Sequence, residues 1–504
     1  MESVEEIEFG YQRRICGGDV SGSLHMNADQ NKTVNGRRGD GVLDEKEFLQ
    51  FFEKLTDRPD IVKALRLFSS TEDQALSISD LKKFLTKEQE FDNINDSLAQ
   101  SIIARFETSK PDGQTNVVLG PIGFRRLMQS EWGSIVKPGH LSIYQDMNLP
   151  LNNYYVNSSH NTYLTGLQLK GEASVEGYIG ALRKGARLLE LDIFDGDDGE
   201  PCITHKRTLI TAITLRNALE AILLHAFKSS PYPVILTIEN HVSLLQQRVM
   251  AKIFKEILGD NIYMRPPDGA KKPLPSPNAL KGKFLLRGKK LPTSSSDKQF
   301  DQDTDEPQSQ KKHEKISLDP SYSELISLPS VKISENIYED IRNHPMDGSP
   351  SISETKVVDF AAGGTSLATY TAERFVKAYP KGIRQDSSNM DPMPSWVCGI
   401  QSVAMNMQTS GEYLDLVYGL FRVNGNCGYV LKPEILRNGL GTNPRLPEIS
   451  GEVKMKLHVE IISGQYLPKP TPDNDVIDPY VTVEVFGIAS DCQKHKTKTV
   501  MNNG

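Results

Sequence analysis

Three carboxylates and one amide lie in, or directly after, strand-like runs in the middle of the chain. Glu190 and Asp192 are two residues apart in LLELDIF, so the period of a strand points both side chains to one face. Glu239 ends the run VILTIE, and Asn161 directly follows YYVNSSH. Oxygen ligands with excess negative charge favour a hard cation, and Ca2+ tolerates an irregular arrangement better than Mg2+ does. The alternative is that these acids form ion pairs with Lys or Arg inside the fold.

Two histidines and a group of cations occupy similar positions. His160 and His205 each end a strand-like run. A single histidine is more often structural, but two at strand ends near an acid cluster indicate acid–base chemistry. Cations combined with a hydroxyl and an aromatic ring suit a phosphorylated, sugar-like ring, and the alternative is ordinary solvated surface charge. The members of this second group are Arg287, Lys289, Ser351, Lys377 and Tyr379.

The elements that must position these residues follow from the apolar pattern. From about residue 141 onward, short strand-like runs alternate with amphipathic helical stretches, which predicts βα units and a parallel sheet. The runs before a polar segment are YYVNSSH, RLLELDIFD, PCITH, VILTIE and FLLRGK, and those after it are SISE, ERFVKAYP and SVAMNMQ. Eight parallel strands predict a (β/α)8 barrel split by an insert, with the polar residues at its carboxyl end.

Changes in pattern predict the domain boundaries. Residues 1–140 have helical periodicity, and 141–291 and 321–445 form the two halves of the predicted barrel. Residues 292–320 are a polar, acidic linker with almost no large apolar groups, which is typical of disorder. Residues 453–504 alternate as in antiparallel strands, in KLHVEII and YVTVEVFG, and the sequence ends after two or three of them.

Composition excludes several classes of protein. The 504 residues are 38% hydrophobic and 24% charged, as in a soluble globular protein. The net charge of -7 gives no general attraction to nucleic acid, so no nucleic-acid partner is expected. The five cysteines contain no CxxC pair, which indicates reduced thiols and a cytoplasmic protein. No apolar run approaches the ~18 residues that span a bilayer, so membrane contact is expected to be peripheral.

Several long motifs resemble a known family. YYVNSSHNTYLTGLQL, LLELDIFDGDDGEP, SPYPVILTIENH, LPSPNALKGKFLLRGKKL and NGNCGYVLKP are similar to the X and Y halves of the eukaryotic phosphoinositide-specific phospholipase C family. The resemblance begins at about residue 142, and a degenerate EF-hand region precedes it. It implies a multidomain protein with a helical EF-hand region, a split (β/α)8 TIM-type barrel and a truncated antiparallel β-sandwich of C2 type. No pleckstrin-homology domain is visible.

The resemblance implies a calcium-dependent hydrolase in signal transduction. Such enzymes convert phosphatidylinositol 4,5-bisphosphate to diacylglycerol and inositol 1,4,5-trisphosphate through a cyclic inositol phosphate. In the implied mechanism Glu190 takes the proton of the attacking 2-hydroxyl, His160 stabilises the phosphorane and His205 protonates the leaving oxygen. The implied ligands of one Ca2+ in the barrel are Asn161, Glu190, Asp192 and Glu239.

The remaining implied residues bind the headgroup and the membrane. Arg287, Lys289, Ser351, Lys377 and Tyr379 match the residues that hold the inositol ring and its phosphates. The apolar rim that enters the bilayer corresponds to Leu169, Arg207, Leu209 and Ile383. The implied partners are a phosphoinositide membrane surface, contacted peripherally on its cytoplasmic side, and signalling activators.

The chain departs from the family pattern at several positions. Arg287 stands where the family usually has Lys, and Lys377 where it usually has Arg. The guanidinium and the ammonium group bind phosphate with different geometry. In the first EF-hand loop Gly36 and Arg38 occupy the places of the first two acidic ligands, so calcium is not expected there. The second candidate, TEDQALSISDLKKF, has Lys82 in place of the closing glutamate.

Two rival interpretations remain beside the enzyme. One is a catalytically weak or inactive phospholipase-C-like scaffold that binds phosphoinositides, and the other is a truncated product. The presence of both histidines and all four matches to metal ligands favours the enzyme, because a scaffold is free to lose them.

Overall fold

The computed structural model describes most of the chain from Pro59 onward. The described residues are 59–70, 75–89, 91–107, 118–133, 138–168, 172–205, 211–292, 318–363, 366–438, 457–461, 464, 467, 476–488 and 491–503. The chain divides into two compact units, Met1–Pro138 with Val453–Ile461 and Gly139–Glu452 with Ile462–Gly504. None of the described helices is long and apolar enough to cross a bilayer.

The first unit is mostly helical, as its apolar periodicity predicts. Its elements are α1 (Pro59–Phe68), β1 (Leu76–Ser77), α2 (Ile78–Lys83), a π-helix (Phe84–Glu88), α3 (Asp96–Phe106), β2 (Val118–Leu119) and α4 (Pro121–Met128). The strands β1 and β2 pair antiparallel, with Leu76 opposite Leu119. The apolar helix faces meet in one core that includes Leu81 and Phe84. The first EF-hand-like loop, residues 36–47, lies outside the described residues.

Asp80, in the second EF-hand-like segment, is used as part of a helix cap. Its Oδ2 accepts hydrogen bonds from the hydroxyls of Ser70 and Ser77, both at 2.7 Å, and Ser77 is the N-cap of α2. Burial raises the pKa of Asp80, but these hydrogen bonds outweigh burial and hold the pKa below its usual value. Lys82 pairs with Asp96 at 2.9 Å. Both groups of this segment are thus engaged in local structure.

The second unit contains the parallel sheet. Its elements in chain order are β3 (Tyr154–Ser159), α5 (Val175–Arg183), β4 (Leu188–Phe194), β5 (Cys202–Ile203), β6 (Ile213–Thr214), α6 (Leu215–Ala226), β7 (Val234–His241), α7 (Leu244–Leu258), β8 (Phe284–Gly288), α8 (Pro320–Ser323), β9 (Ile326–Pro329), α9 (Ile337–Asn343), β10 (Ser351–Ser353), α10 (Glu354–Gly363), α11 (Ser366–Glu373), β11 (Lys377–Tyr379), α12 (Met393–Val397), β12 (Ser402–Met405), α13 (Glu412–Phe421), β13 (Tyr429–Leu431), α14 (Glu434–Arg437), β14 (Thr482–Val485) and β15 (Gln493–Lys496). Short 3-10 helices lie at Pro138–Leu141, Leu151–Asn153, Gly259–Asn261, Gly269–Lys271 and Asn424–Asn426, and one more, Glu131–Gly133, belongs to the first unit.

Eight parallel strands form a TIM-type sheet in the order β10-β11-β12-β3-β4-β7-β8-β9. β13 pairs antiparallel with β3, and β5 and β6 extend antiparallel from the end of β4. No ladder joins the described strands β9 and β10. They are held instead by one backbone bond, from Ser349 N–H to Pro329 O at 2.8 Å, and by Arg287 of β8, which donates to Ser349 and Ser351. The side chain of Arg287 therefore bridges the seam of the barrel, which is the gap between β9 and β10.

The split parallel barrel is confirmed, with two corrections to its strands. PCITH is wrong as a barrel strand, because only Cys202–Ile203 is extended and it pairs antiparallel with β4. The sequence analysis missed β9, so four barrel strands precede the linker and four follow it. A short apolar run has the same pattern in a hairpin as in a barrel. β9 is also only four residues long and ends at Pro329, and proline is usually confined to strand ends and edges.

Strand β4 shows how the sheet positions polar groups. Leu189, Leu191 and Ile193 belong to the large core that packs against the helices. Because side chains alternate along a strand, Glu190 and Asp192 point to the opposite face, into the barrel. Strands of a parallel barrel are buried on both faces, so these carboxylates are held inside the protein.

The last described segment contains an antiparallel hairpin. β14 pairs with β15, with Thr482 opposite Lys496, and the Lys496 Nζ lies 3.5 Å from the centre of the Tyr480 ring. β14 lies within YVTVEVFG, as predicted. The described residues of KLHVEII, 457–461, form no strand.

A buried lysine follows β13. The Lys432 Nζ donates to the carbonyl oxygens of Thr371 at 2.9 Å and Gly399 at 3.1 Å. Burial lowers the pKa of this ammonium to about 7. An unfolded chain would expose the same group to water and restore its ordinary pKa.

Lys432 is therefore expected to make stability depend on pH. Above about pH 7 the unfolded chain still binds a proton that the folded chain has released, so unfolding becomes less favourable as the pH rises. Relative to Lys432→Met, the wild-type chain should gain roughly 1 kcal/mol in the free energy of unfolding per pH unit between that point and the ordinary lysine pKa of 10.5. Calorimetric melting of both proteins at several pH values measures this gain. A stability difference that stays constant with pH would contradict the lowered pKa.

Candidate active site

The acids gather because β4 and β7 run parallel and in register. Asp192 is the ladder partner of Glu239, and Glu190 is the partner of Thr237. Glu190 and Asp192 are buried, whereas the side chain of Glu239 is 42% exposed. The three carboxylates that the sequence pattern singled out therefore lie on one face, toward the carboxyl ends of two neighbouring strands.

The proximity of like charges is visible in the pKa values. Burial, followed by the charges of Glu239 and Glu190, raises the pKa of Asp192 well above its usual value. Burial also acts to raise the pKa of Glu239, but the contact with His241 and the charge of Lys377 outweigh it and lower that pKa. The two neighbouring acids are therefore driven apart in acidity, Asp192 toward its protonated form and Glu239 toward its ionised form.

The segment from His160 to Tyr163 holds the acids in place. Asn161 has a positive φ of 40°, a conformation that asparagine tolerates better than most residues, and its backbone N–H donates to Glu190 Oε2 at 2.9 Å. The Thr162 hydroxyl accepts the backbone N–H of Glu190 at 2.9 Å. The Tyr163 hydroxyl donates to Asp192 Oδ2 at 2.7 Å. Each of the two acids on β4 is thus fixed by a group from the turn after β3.

Two of the five predicted headgroup residues are buried and already bound to protein groups. Lys377 Nζ forms an ion pair with Glu190 Oε1, so the alternative of internal ion pairs holds for this acid. Arg287 donates to Ser349 Oγ and Ser349 O, both at 2.8 Å, and to Ser351 Oγ at 2.8 Å.

The other three predicted headgroup residues are more accessible. Lys289, Ser351 and Tyr379 are half-buried. The register of β10 and β11 places Ser351 beside Lys377 and Ser353 beside Tyr379. Ser351 and Tyr379 therefore lie on adjacent strands of the same sheet as the acids, and Lys289 directly follows β8 of that sheet.

The two histidines are half-buried and lie near the acids. His160 Nδ1 is 3.1 Å from Asn406 Oδ1, and burial lowers the pKa of His160 while the charge of Glu190 opposes this effect. His205 follows β5, and burial, then the charge of His160, lowers its pKa against the opposing charges of Glu239 and Glu190. The structure thus brings both predicted histidines into the electrostatic field of the carboxylates.

The donor chemistry of this site fits a hard cation. Its candidate ligand atoms are carboxylate and amide oxygens, and Asp192 Oδ1 is buried without a hydrogen-bond partner. The Asn161 Nδ2 donates to Gln168 Oε1 at 2.8 Å, which leaves Oδ1 as the free end of that amide. Across the described residues, no three His, Cys, Asp or Glu side chains converge as a closed metal group. Glu190 faces Lys377 instead.

Sequence reasoning missed four polar residues around the site. His241 stacks on Phe194 with ring centres 4.5 Å apart, and its Nε2 lies 3.8 Å from Glu239 Oε2. Its position two residues after Glu239 on the same strand was an available signal, because period two puts both on one face. The other missed residues are Tyr163, Gln168 and Asn406, which contact Asp192, Asn161 and His160 respectively.

The predicted membrane rim is described at one of its four positions. Ile383 is 80% exposed and helps to line an open cavity of about 500 Å³ together with Lys381 and Arg384. The Arg384 Nη2 forms an ion pair with Glu354 at 3.1 Å. The other three rim positions, Leu169, Arg207 and Leu209, lie outside the described residues.

Family models match four consecutive parts of the chain. The models for the X domain and the Y domain of phosphatidylinositol-specific phospholipase C match residues 147–290 and 322–435. The EF-hand-like model of phosphoinositide-specific phospholipase C matches residues 51–138, and the C2 domain model matches 455–504. The predicted EF-hand-like region, split barrel and C2 region are therefore confirmed.

Curated relatives include proteins with contrasting names. The chain is 38% identical over 488 residues to inactive phospholipase C-like protein 2 of Mus musculus, covering 92% of this chain and 43% of that protein. It is 36% identical over 559 residues to 1-phosphatidylinositol 4,5-bisphosphate phosphodiesterase delta-4 of Bos taurus, covering 97% of this chain and 70% of that protein. The chain thus spans less than half the length of the inactive relative.

Solved structures agree with the fold. The crystal structure of L. pealei PLC21 has a TM-score of 0.66 and 26% sequence identity, and the match covers 92% of this chain and 61% of that one. The structure of S. officinalis PLC21 matches equally well, with a TM-score of 0.66 and 27% identity. With its EF-hand-like region, X domain, Y domain and C2 region in this order, the chain belongs to the phosphoinositide-specific phospholipase C family.

Proposed function

We propose that this chain is a calcium-dependent phosphodiesterase that hydrolyses phosphatidylinositol 4,5-bisphosphate to diacylglycerol and inositol 1,4,5-trisphosphate. The observation that carries the proposal is the meeting of Glu190, Asp192 and Glu239 beside two histidines at the end of one barrel. The catalytic residues of TIM-type barrels usually lie at this end and come from several strands. The name of the delta-4 relative supports the same substrate and reaction.

The chain supplies groups for both proton transfers of this reaction. Bound by Asn161, Glu190, Asp192 and Glu239, Ca2+ would lower the pKa of the inositol 2-hydroxyl. Glu190 accepts the proton of that hydroxyl as its oxygen forms a bond to phosphorus. His205 donates a proton to the diacylglycerol oxygen as the bond between that oxygen and phosphorus breaks. Water then opens the cyclic phosphate.

His160 is oriented to act on the phosphate oxygens. Its Nδ1 is bound to Asn406, so Nε2 is the nitrogen left to face a substrate. When Nε2 takes up a proton while Nδ1–H stays bound to Asn406, the resulting imidazolium would stabilise the charge of the phosphorane. Lys289, Ser351 and Tyr379 are half-buried and suited to contact the ring and its phosphates.

Lys377 links the cation to the headgroup. In the described structure its ammonium neutralises Glu190, so a cation that uses Glu190 competes with Lys377 for the same carboxylate. Release of Lys377 would free its ammonium for a substrate phosphate. Cation binding and phosphate binding are therefore expected to support each other.

An inactive scaffold is the second candidate. The curated relatives named inactive phospholipase C-like proteins favour it, as do the internal engagements of Arg287 and Lys377. Such a scaffold would bind phosphoinositides without turnover. Calcium-dependent release of labelled inositol trisphosphate from mixed micelles decides between the two functions.

We also propose a peripheral, cytoplasmic location at the membrane surface. The exposed Ile383 suits contact with a bilayer, and its neighbours Lys381 and Arg384 both form ion pairs with Glu354. The matches to the phospholipase C domains and to a C2 domain support a phosphoinositide membrane as partner.

His205→Ala should separate turnover from calcium binding. An acid that protonates a leaving group is not a cation ligand, so turnover should fall by about 100-fold or more while calcium affinity changes little. The micelle assay measures turnover, and isothermal titration with calcium chloride measures affinity. Equal losses in both would show that His205 is not the proton donor.

Asp192→Asn should have the opposite profile. The substitution removes one formal charge from a hard-cation site at nearly constant size, so calcium affinity should fall by about tenfold or more. Titration calorimetry measures the change. Glu256→Gln on the exposed face of α7 serves as a control that removes an equal charge elsewhere. An unchanged calcium titration for Asp192→Asn would argue against a site at these acids.

Lys377→Met should strengthen calcium binding and weaken catalysis. Without the ammonium, Glu190 is free for the cation, so calcium affinity should rise by about fivefold or more. Turnover should fall because a phosphate contact is lost. Lys377→Arg keeps the charge and should bind calcium as the wild type does. Weaker calcium binding in Lys377→Met would contradict competition at Glu190.

A further inference from the structure

A buried network of side-chain amides and one hydroxyl lies behind His160 and Asn161. Gln168, Ser387 and Asn406 are all buried. Gln168 belongs to the first half of the barrel and the other two to the second half, on either side of the linker. Buried amides need hydrogen-bond partners, so the pattern of their contacts defines their orientations.

Gln168 is the centre of this network. Its Oε1 accepts from Asn161 Nδ2 at 2.8 Å, and its Nε2 donates to Ser387 Oγ at 2.9 Å and to Asn406 Oδ1 at 3.2 Å. The backbone N–H of Gln168 also donates to Gln385 O at 3.3 Å. One side chain therefore connects a predicted cation ligand with the residue that contacts His160.

Asn406 transmits this orientation to the histidine. Its Oδ1 lies 3.1 Å from His160 Nδ1, while its Nδ2 donates to Ser388 O at 3.2 Å. Its backbone N–H donates to Asn389 Oδ1 at 2.8 Å, which fixes the residue further. Asn406 Oδ1 is an amide oxygen without a proton, as its acceptance of the Gln168 bond shows. It can therefore only accept in its contact with His160. The Nδ1 of His160 therefore carries a proton, and Nε2 faces away from the network.

We propose that Gln168 and Asn406 are positioning residues for the active site. They hold the Asn161 amide with Oδ1 available to a cation, and they select the Nδ1–H tautomer of His160. This inference rests on the proposed function. It deepens that function, because the first half of the barrel carries Asn161 and His160 while the second half determines how they are oriented.

The test compares Gln168→Met with Gln408→Met in the full chain. Methionine fills a similar volume but offers neither an amide donor nor an amide acceptor. Gln408 is the control, because its Nε2 donates across the same two halves to Gly166 O at 3.3 Å, whereas His160 and Asn161 bond to Asn406 and Gln168. The melting temperatures of the two variants measure the loss of stability that each substitution causes.

Two measurements distinguish positioning from packing. Titration calorimetry with calcium chloride should show about tenfold weaker binding for Gln168→Met, as is typical when a partner of a ligand is removed. Nitrogen NMR of His160 should show the Nδ1–H tautomer in wild type and a second tautomer in Gln168→Met. Gln408→Met should match wild type in both. Unchanged calcium affinity and tautomer in Gln168→Met, or equal changes in Gln408→Met, would overturn the proposal.

A further variant keeps the proposal testable if Gln168→Met fails to fold. Gln168→Glu retains an acceptor for Asn161 Nδ2 but replaces the donor to Asn406 with a second acceptor. Calcium binding should then be retained while His160 loses its Nδ1–H preference, and retention of the wild-type tautomer would refute the role of Asn406. A wild-type chain that binds calcium without hydrolysis would reject the proposed enzyme, yet the tautomer comparison would still decide the role of the network.

Discussion

Repulsion among three carboxylates is the constraint that the carboxyl end of this barrel has to satisfy. Glu190, Asp192 and Glu239 come together because β4 and β7 are in register. Each acid has a different partner: Lys377 for Glu190, Tyr163 for Asp192 and His241 for Glu239. Loss of a partner from a buried group leaves a charge uncompensated, so these contacts matter for the fold as well as the chemistry.

The insert between β8 and β9 does not divide the site. The ladder continues from β8 to β9, and the Lys377–Glu190 ion pair joins the second half of the barrel to the first. Arg287 likewise reaches from β8 to Ser351 on β10. Arg287, which the family resemblance assigns to headgroup binding, thus also connects the strands at the barrel seam.

Much of this architecture was predictable from local pattern, and some was not. Period two in LLELDIF was sufficient to place Glu190 and Asp192 on one face, because a parallel ladder preserves that alternation. The pattern did not distinguish the short hairpin strand β5 from a barrel strand, nor reveal the four-residue β9. The contact between Gln168 and Asn406 joins residues 238 positions apart. Uncharged amides carry no sequence signal that identifies a partner so distant. The internal ion pair of Glu190 was predicted only as one of two alternatives.

The placement of His205 separates two properties of the site. The acids lie on β4 and β7, which belong to the parallel ladder, whereas His205 follows β5, a strand that pairs with β4 and β6 in antiparallel fashion. A change in the length of that appended hairpin would move the histidine without altering the register of the acids. The position of His205 and the register of the acids can therefore change independently of each other over evolution, because variation in the hairpin leaves the parallel ladder intact.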